Sequence, residues 1–298
     1  MIRCYSITEL RPYIHWAYFF HAWQFEARFA SIATIHGCEA CRRGWLSGFA
    51  EADRPKAEAA QVLWDEAGRL LDEMTPMVRV QAVFRLLEAG SAGDDIHMGG
   101  LVVPFLRQQG RQPDGQPNLC LSDFVRPLQP DGRATDTVGV FATSVSTEAE
   151  EHWRDDAYRR LLAQTLASRL AEAAATRMHE EVRRTYWGYA PDEQLPMADL
   201  LTERHQGIRP AVGYPSIPDQ SINFLIDRLL DLSRIGIRLT EHGAMQPHAS
   251  VSGFLFAHPA ARYFSIGPIG TDQLADYAAR RGFTPEQMRP FLAANLKT

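Results

Sequence analysis

The pattern of apolar and polar residues reads mainly as helix over the first third of this chain, and extended segments follow. After Asp53-Arg54-Pro55, residues Ala59, Val62, Leu63, Ala67, Leu70, Leu71 and Met74 recur at helical spacing. Pro55 falls at the first helical turn, where its missing N–H is tolerated. Met77–Leu87 is rich in Val, Phe and Leu and predicts a strand, followed by a turn at Ser91-Ala92-Gly93-Asp94-Asp95. Leu101–Leu106 and Thr137–Val145 predict two more strands, and the polar stretch Gly110–Asn118 an exposed loop. Thr147 with Glu150 fits a capping box that opens the longest helix. Its apolar stripe is Trp153, Ala157, Leu161, Leu166, Leu170, Ala174, Met178 and Val182, and it stops near Trp187-Gly188. Ile235–Leu239, Val251–Phe256 and Tyr263–Ile269 read as strands, the last two joined through His258-Pro259-Ala260. One short helix runs from Thr271 to Gly282, and another opens with Thr284-Pro285 and Gln287.

Helices and hairpins mix here without regular β-α alternation, which predicts an α+β fold. We expect one unit over residues 1–298, mostly helical in 1–76 and mixed in 77–298. Composition agrees: 45% hydrophobic and 22% charged residues in 298 are globular proportions. The net charge of −5 gives no basic footprint for nucleic acid and no polybasic membrane patch. Tyr13–Trp23 is aromatic, but His15 and His21 interrupt it, and it falls short of the ~20 residues a spanning helix needs. Four cysteines in so long a chain do not make a disulfide framework, so the expected compartment is reducing and cytoplasmic.

Among local motifs, Asp95-Ile96-His97-Met98-Gly99-Gly100 matches DxHxxG, with which some cobalamin proteins present a histidine to cobalt. No alternating strands and helices follow it, so it reads as a strand and turn. Cys38-Glu39-Ala40-Cys41 is a CxxC with His36 nearby, but no second pair stands at zinc spacing. There is no HExxH, GxSxG, P-loop or GxGxxG, hence no recognisable nucleophile or hydrolytic site. The densest unusual stretch is Tyr186–Tyr214, where Pro210 and Pro215 stiffen the segment around Arg209 and Gly213 allows close backbone approach. An arginine on a rigid loop suits capture of a carboxylate, with Tyr214 as an aromatic wall; a structural loop with a surface arginine fits the same pattern.

Arg209-Pro210-Ala211-Val212-Gly213-Tyr214-Pro215 resembles the RxxxGY loop of the activation domain of cobalamin-dependent methionine synthase. Arg11-Pro12-Tyr13-Ile14, Tyr186-Trp187-Gly188-Tyr189-Ala190-Pro191, Ala249-Ser250-Val251-Ser252-Gly253 and Leu292-Ala293-Ala294-Asn295-Leu296 extend the resemblance over nearly the whole chain. The resemblance implies a C-shaped domain with a twisted antiparallel sheet flanked by helices, which binds S-adenosylmethionine (AdoMet). Its implied task is repair: oxidised cobalamin receives an electron from flavodoxin or another reductase and a methyl from AdoMet, restoring methylcobalamin. The cobalt nucleophile belongs to a neighbouring cobalamin module, so no catalytic residue is expected on this chain, which would be part of a methyltransferase of methionine biosynthesis. Carried over by position, Arg209 holds the AdoMet carboxylate, Ala211 lies beside it, and Gly213 and Tyr214 complete the loop. Tyr263 and Phe264 match an aromatic pair usually ending in Tyr, and Glu172 a carboxylate near the ligand. The early motif normally carries an Asp that contacts AdoMet, and here the position is His15. Loss of that charge-assisted bond weakens binding by ~1.5–3 kcal/mol unless Glu172 or Glu26 compensates. Ser168 replaces an Asp of the cobalamin-facing motif. The chain begins at Met1 with no cobalamin module before it, so a split synthase with the cobalamin module on a partner is expected, ahead of a fragment of a longer chain or a reuse of the fold. The competing expectation is a cap that docks on a cobalamin protein without binding AdoMet.

Overall fold

The computed structural model describes residues 1–296, apart from the Asp114 side chain. Among the described residues eight strands form: β1 (Ile2–Tyr5), β2 (Val80–Ala92), β3 (Asp95–Met98), β4 (Leu101–Pro104), β5 (Asp136–Val145), β6 (Arg238–Leu239), β7 (Met245–Gln246) and β8 (Ser250–Leu255). Six make one antiparallel sheet in the order β4-β3-β2-β5-β8, with β1 paired to the first half of β2 and β3 to its second half. The long β2–β5 ladder, Val80 opposite Val145 through Ala89 opposite Asp136, is the spine. Strands β6 and β7 form a separate ribbon.

The period of two along the spine sorts its side chains to two cores. Val80, Ala82, Phe84, Phe141 and Val145 pack with the N-terminal segments and the long helix Ala157–Glu181. Val83, Leu87, Val138, Val140 and Ala142 pack on the opposite face with the helix Ile222–Leu230. Polar groups on each face are tied down as burial requires. The Thr143 hydroxyl donates to the Ala171 carbonyl at 2.9 Å, and the Ser144 hydroxyl to the Ile235 carbonyl at 2.6 Å. The first 76 residues therefore share a core with the sheet, to which they also contribute β1. A smaller cluster under the C-terminal helix Thr271–Arg281 closes the molecule around Leu274, Tyr277 and Leu292.

Several expectations need correction. Thr147 does not open the longest helix: it precedes a short helix, Glu148–His152, and the chain breaks before Asp156, whose side chain accepts from the Arg159 N–H and caps Ala157–Glu181. Leu161 is consequently 52% exposed, and the inward face carries Leu162, Leu166, Leu170 and Met178. Val62 is likewise exposed on the helix Arg54–Met74, where Ala57, Ala60, Leu63 and Ala67 face inward. Only Arg238–Leu239 of the 235–239 run is strand. Tyr263–Ile269 is not a strand either, since the edge of β8 it would need is taken by residues 208–212. Pro268 has no N–H to give a ladder. The final helices match their signals: Gly282 ends one with a left-handed φ of 75°, and Thr284 with Gln287 forms a capping box.

Candidate functional site

The loop Arg209–Pro215 begins as an extra extended segment along β8. The Ile208 N–H donates to the Phe256 carbonyl at 2.9 Å, the Phe254 N–H to the Pro210 carbonyl at 3.1 Å, and the Val212 N–H to the Ser252 carbonyl at 2.9 Å. Pro210, which has no N–H, stands where only its carbonyl is used. The backbones come so close that a Cβ on Gly253 would lie 2.2 Å from the Pro210 oxygen, so glycine is required there. Alternation along this segment sends Ile208 and Val212 into one core and Arg209 and Ala211 to the face of the long helix. Gly213 then turns the chain with φ 87°, which presents Tyr214.

A cleft of about 1210 Å³ opens on this face, lined by Arg209, Ala211, Tyr214, Tyr263, Phe264, Glu172 and His15 among others. Gly213, in the turn behind Tyr214, does not line it. The Arg209 guanidinium is 13% exposed and donates through Nη2 to Thr176 Oγ1 at 3.0 Å. Its Nη1 lies 3.3 Å from Glu203 Oε1 but makes no hydrogen bond, so one buried donor group faces the cleft unsatisfied. Tyr263 ties the pair together: its oxygen accepts from the Arg209 backbone N–H at 3.0 Å and donates to Glu203 Oε1 at 3.1 Å. Desolvation of the hydroxyl, although the residue as a whole is 41% exposed, pushes Tyr263 up to about 12, opposed by the Arg209 charge and aided by Glu203, so it remains a donor at neutral pH. Across the cleft the Tyr214 hydroxyl donates to Glu172 Oε1 at 2.7 Å, and burial and that carboxylate raise its pKa as well.

His15 occupies the N-cap of the helix Trp16–Ala22 without capping it. Its ring packs on Tyr18 at 4.3 Å, and its buried Nδ1 has no partner. Desolvation lowers its pKa below the usual 6.5, aided by the Arg169 charge and opposed by Glu203, so it is neutral at pH 7. Behind Arg209 lies a buried polar layer. Fully buried Arg183 is forked onto Glu193 at 2.5–3.1 Å, His179 Nε2 meets the Tyr189 hydroxyl at 3.3 Å, and the His205 ring stands against His179 at 5.0 Å. Burial first, and the Arg183 and Arg209 charges next, hold His179 well below its usual pKa and lower His205 to about 4. Both are therefore neutral behind the guanidinium.

Glu203 was not anticipated from the sequence, nor was Thr176. Glu203 follows the short helix Met197–Leu201 with a left-handed φ of 58°, and nothing in its local pattern marks it. Glu26 is excluded as a compensating acid, because it pairs with Arg28 and Lys56 and does not line the cleft. Ser168 does line it and donates to the Gln164 carbonyl at 3.1 Å. His97 sits in the middle of a hairpin, opposite Gly90 and Val102, and Gly99 and Gly100 supply the positive φ of its turn. DxHxxG is here a strand and turn.

The family model for "Vitamin B12 dependent methionine synthase, activation domain" matches residues 6–282. The chain belongs to this family. A crystal structure of the MetH reactivation domain bound to AdoHcy is 35% identical and superposes with a TM-score of 0.84. The match covers 100% of this chain and 90% of that one. The α+β activation-domain fold, with its twisted antiparallel sheet between helical layers, is thus the one present here. Membership implies a cobalamin-bearing module as partner. Among the described residues, no helix is long and apolar enough to cross a membrane.

Proposed function

We propose that this activation domain binds AdoMet in the Arg209 cleft and offers its methyl group to a cobalamin module carried by a partner, within the reductive repair of methionine synthase. The observation that carries the reading is the Arg209–Glu203 pair. Two opposite charges, 3.3 Å apart at the wall of the cleft, complement the carboxylate and ammonium of an amino-acid zwitterion. Buried Arg209 Nη1 and His15 Nδ1, both without hydrogen-bond partners, are the polar vacancies such a ligand fills. AdoMet, when bound, supplies an electrophilic methyl on a sulfonium, whose transfer releases a neutral thioether and needs no acid or base.

The chain's own residues position. Arg209 takes the carboxylate, fixed by Thr176 and by the edge pairing of its backbone to β8; Glu203, held by Tyr263, takes the ammonium. Ala211, having no larger side chain, leaves room beside them. Tyr214, tethered to Glu172, and Tyr263 with Phe264 form walls that restrict the ligand's orientation, and positioning of this kind is the domain's contribution to rate. At about 1210 Å³ the cleft exceeds the ~300–1,000 Å³ usual for a small-molecule pocket, so the ligand need not fill it. Flavodoxin or a similar reductase would supply the electron, and residues 1–298 would act as one unit. His15 favours the second reading, a docking cap without AdoMet. Glu203 supplies the anion that His15 does not and answers this objection. Calorimetric titration with AdoMet tests the proposal, and repair of oxidised cobalamin on a partner module, with and without the chain, tests the role.

A further inference from the structure

The N-terminal part of the chain carries a ligand set that the cleft does not use. Cys38 is the N-cap of the helix Glu39–Ser47, and its sulfur accepts from the Cys41 N–H at 3.4 Å. One turn of helix therefore brings the two thiols of the CxxC to the same side. Ahead of them the chain bends so that His36 Nδ1 accepts from the Cys38 N–H at 3.3 Å, which aims its lone pair at the cysteine loop. One imidazole nitrogen and two sulfurs thus lie within 4.8 Å of one another. None of the three residues lines the AdoMet cleft.

We propose that His36, Cys38 and Cys41 form a site for a borderline-soft divalent metal ion of the zinc class. Bonds of about 2.3 Å to sulfur and about 2.0–2.1 Å to nitrogen place tetrahedral ligand atoms roughly 3.5–3.8 Å apart. The three atoms need only a small contraction to reach that spacing, and rotation about side-chain bonds provides it. The helix N-terminus and the Cys41 N–H stabilise thiolate at Cys38, as a metal–sulfur bond requires. Binding would exchange the Cys38 amide for the ion at His36 Nδ1. A disulfide would use the two sulfurs and leave the histidine idle, whereas a metal uses all three groups. His36 and Cys38 are exposed, so the fourth vertex opens to solvent, for a water or a donor from another molecule. The helix that carries the cysteines is already braced, by Trp45 Nε1 on Ser31 Oγ at 2.8 Å and by Arg42 on Asp65 at 2.6 Å. The ion would then clamp the connection between the segment Ala27–Thr34 and this helix.

The test titrates the reduced, metal-free full chain with Co(II) and then displaces it with Zn(II). One Co(II) per chain is expected, with a near-ultraviolet charge-transfer band of two-thiolate intensity that Zn(II) abolishes. Cys38→Ser, which keeps the cap, should halve the band, and Cys41→Ser should do the same. His36→Gln should keep the band but weaken Zn(II) at least about tenfold. Cys4→Ser should change nothing. Absence of the band, its persistence at full intensity in either serine variant, or Zn(II) affinity indifferent to His36→Gln would overturn the proposal. Formation of a Cys38–Cys41 disulfide in air, with no metal uptake by the reduced chain, would do so as well. None of these readouts depends on AdoMet.

Discussion

Glu203→Gln removes one charge from the cleft while keeping the side chain's length and the backbone's left-handed φ of 58°. Two roles for this carboxylate predict opposite signs. If Glu203 receives the ligand ammonium, its neutralisation weakens AdoMet binding. If it only occupies Arg209 in the free protein, neutralisation frees the guanidinium and tightens binding. The structure favours the first role, because the contact between Arg209 Nη1 and Glu203 at 3.3 Å is not a hydrogen bond and leaves that donor group open to a second anion. A hydrogen bond to a charged group contributes ~1.5–3 kcal/mol, and with Glu203 34% exposed the lower end applies. That is a loss of about tenfold in affinity. Calorimetry on parent and Glu203→Gln measures it, and the same pair titrated with an AdoMet analogue lacking the α-amino group isolates the ammonium term. The two proteins should differ about tenfold for AdoMet and hardly at all for the analogue. Equal or tighter AdoMet binding by Glu203→Gln would refute the assignment.

Three other outcomes follow from the same geometry. His15→Asp should raise stability by ~0.5–2 kcal/mol in thermal unfolding, since an Asp at this N-cap can accept from the helix where His15 does not. It should also tighten AdoMet; an unchanged affinity would mean that Glu203 alone serves the ammonium. Gly253→Ala should cost ~1–3 kcal/mol and abolish AdoMet binding, because the new methyl meets the Pro210 carbonyl and forces the edge segment off β8. His205 is held near 4 against 6.5 unfolded, so the unfolded chain takes up the proton first as pH falls. Its contribution to stability is full above about 6.5 and is lost on acidification, by about 1.4 kcal/mol at pH 5.5. Denaturant unfolding at pH 7.5 and 5.5 should show at least that loss, because buried His179 is lowered as well, and His205→Phe should reduce it.

What the sequence made legible was whatever local chemistry decides. The capping box at Thr284, the glycine stop at Gly282 and the apolar runs that became β2, β5 and β8 are all local signals. The Arg209–Tyr214 loop was legible for the same reason, since its Pro, Gly and Arg are adjacent in the chain. Long-range competition was not legible. Tyr263–Ile269 has strand composition, yet residues 208–212 reach the β8 edge, and only Gly253 lets them come close enough. Asp156 rather than Thr147 caps the long helix, so the apolar stripe starts later and Leu161 turns outward. Glu203 was hidden because its importance comes from a partner six positions along the chain that the fold, not the sequence pattern, brings to its side.

The central claim is that Arg209 anchors AdoMet in this cleft. Calorimetric titration of the parent chain and Arg209→Ala with AdoMet, at one pH near 7.5, tests it most directly. We predict saturable binding of one AdoMet by the parent and a loss of ~2–3 kcal/mol in Arg209→Ala, as expected when a charge-assisted carboxylate clamp is removed. Absence of binding by the parent, or equal affinity in the two proteins, would contradict the account.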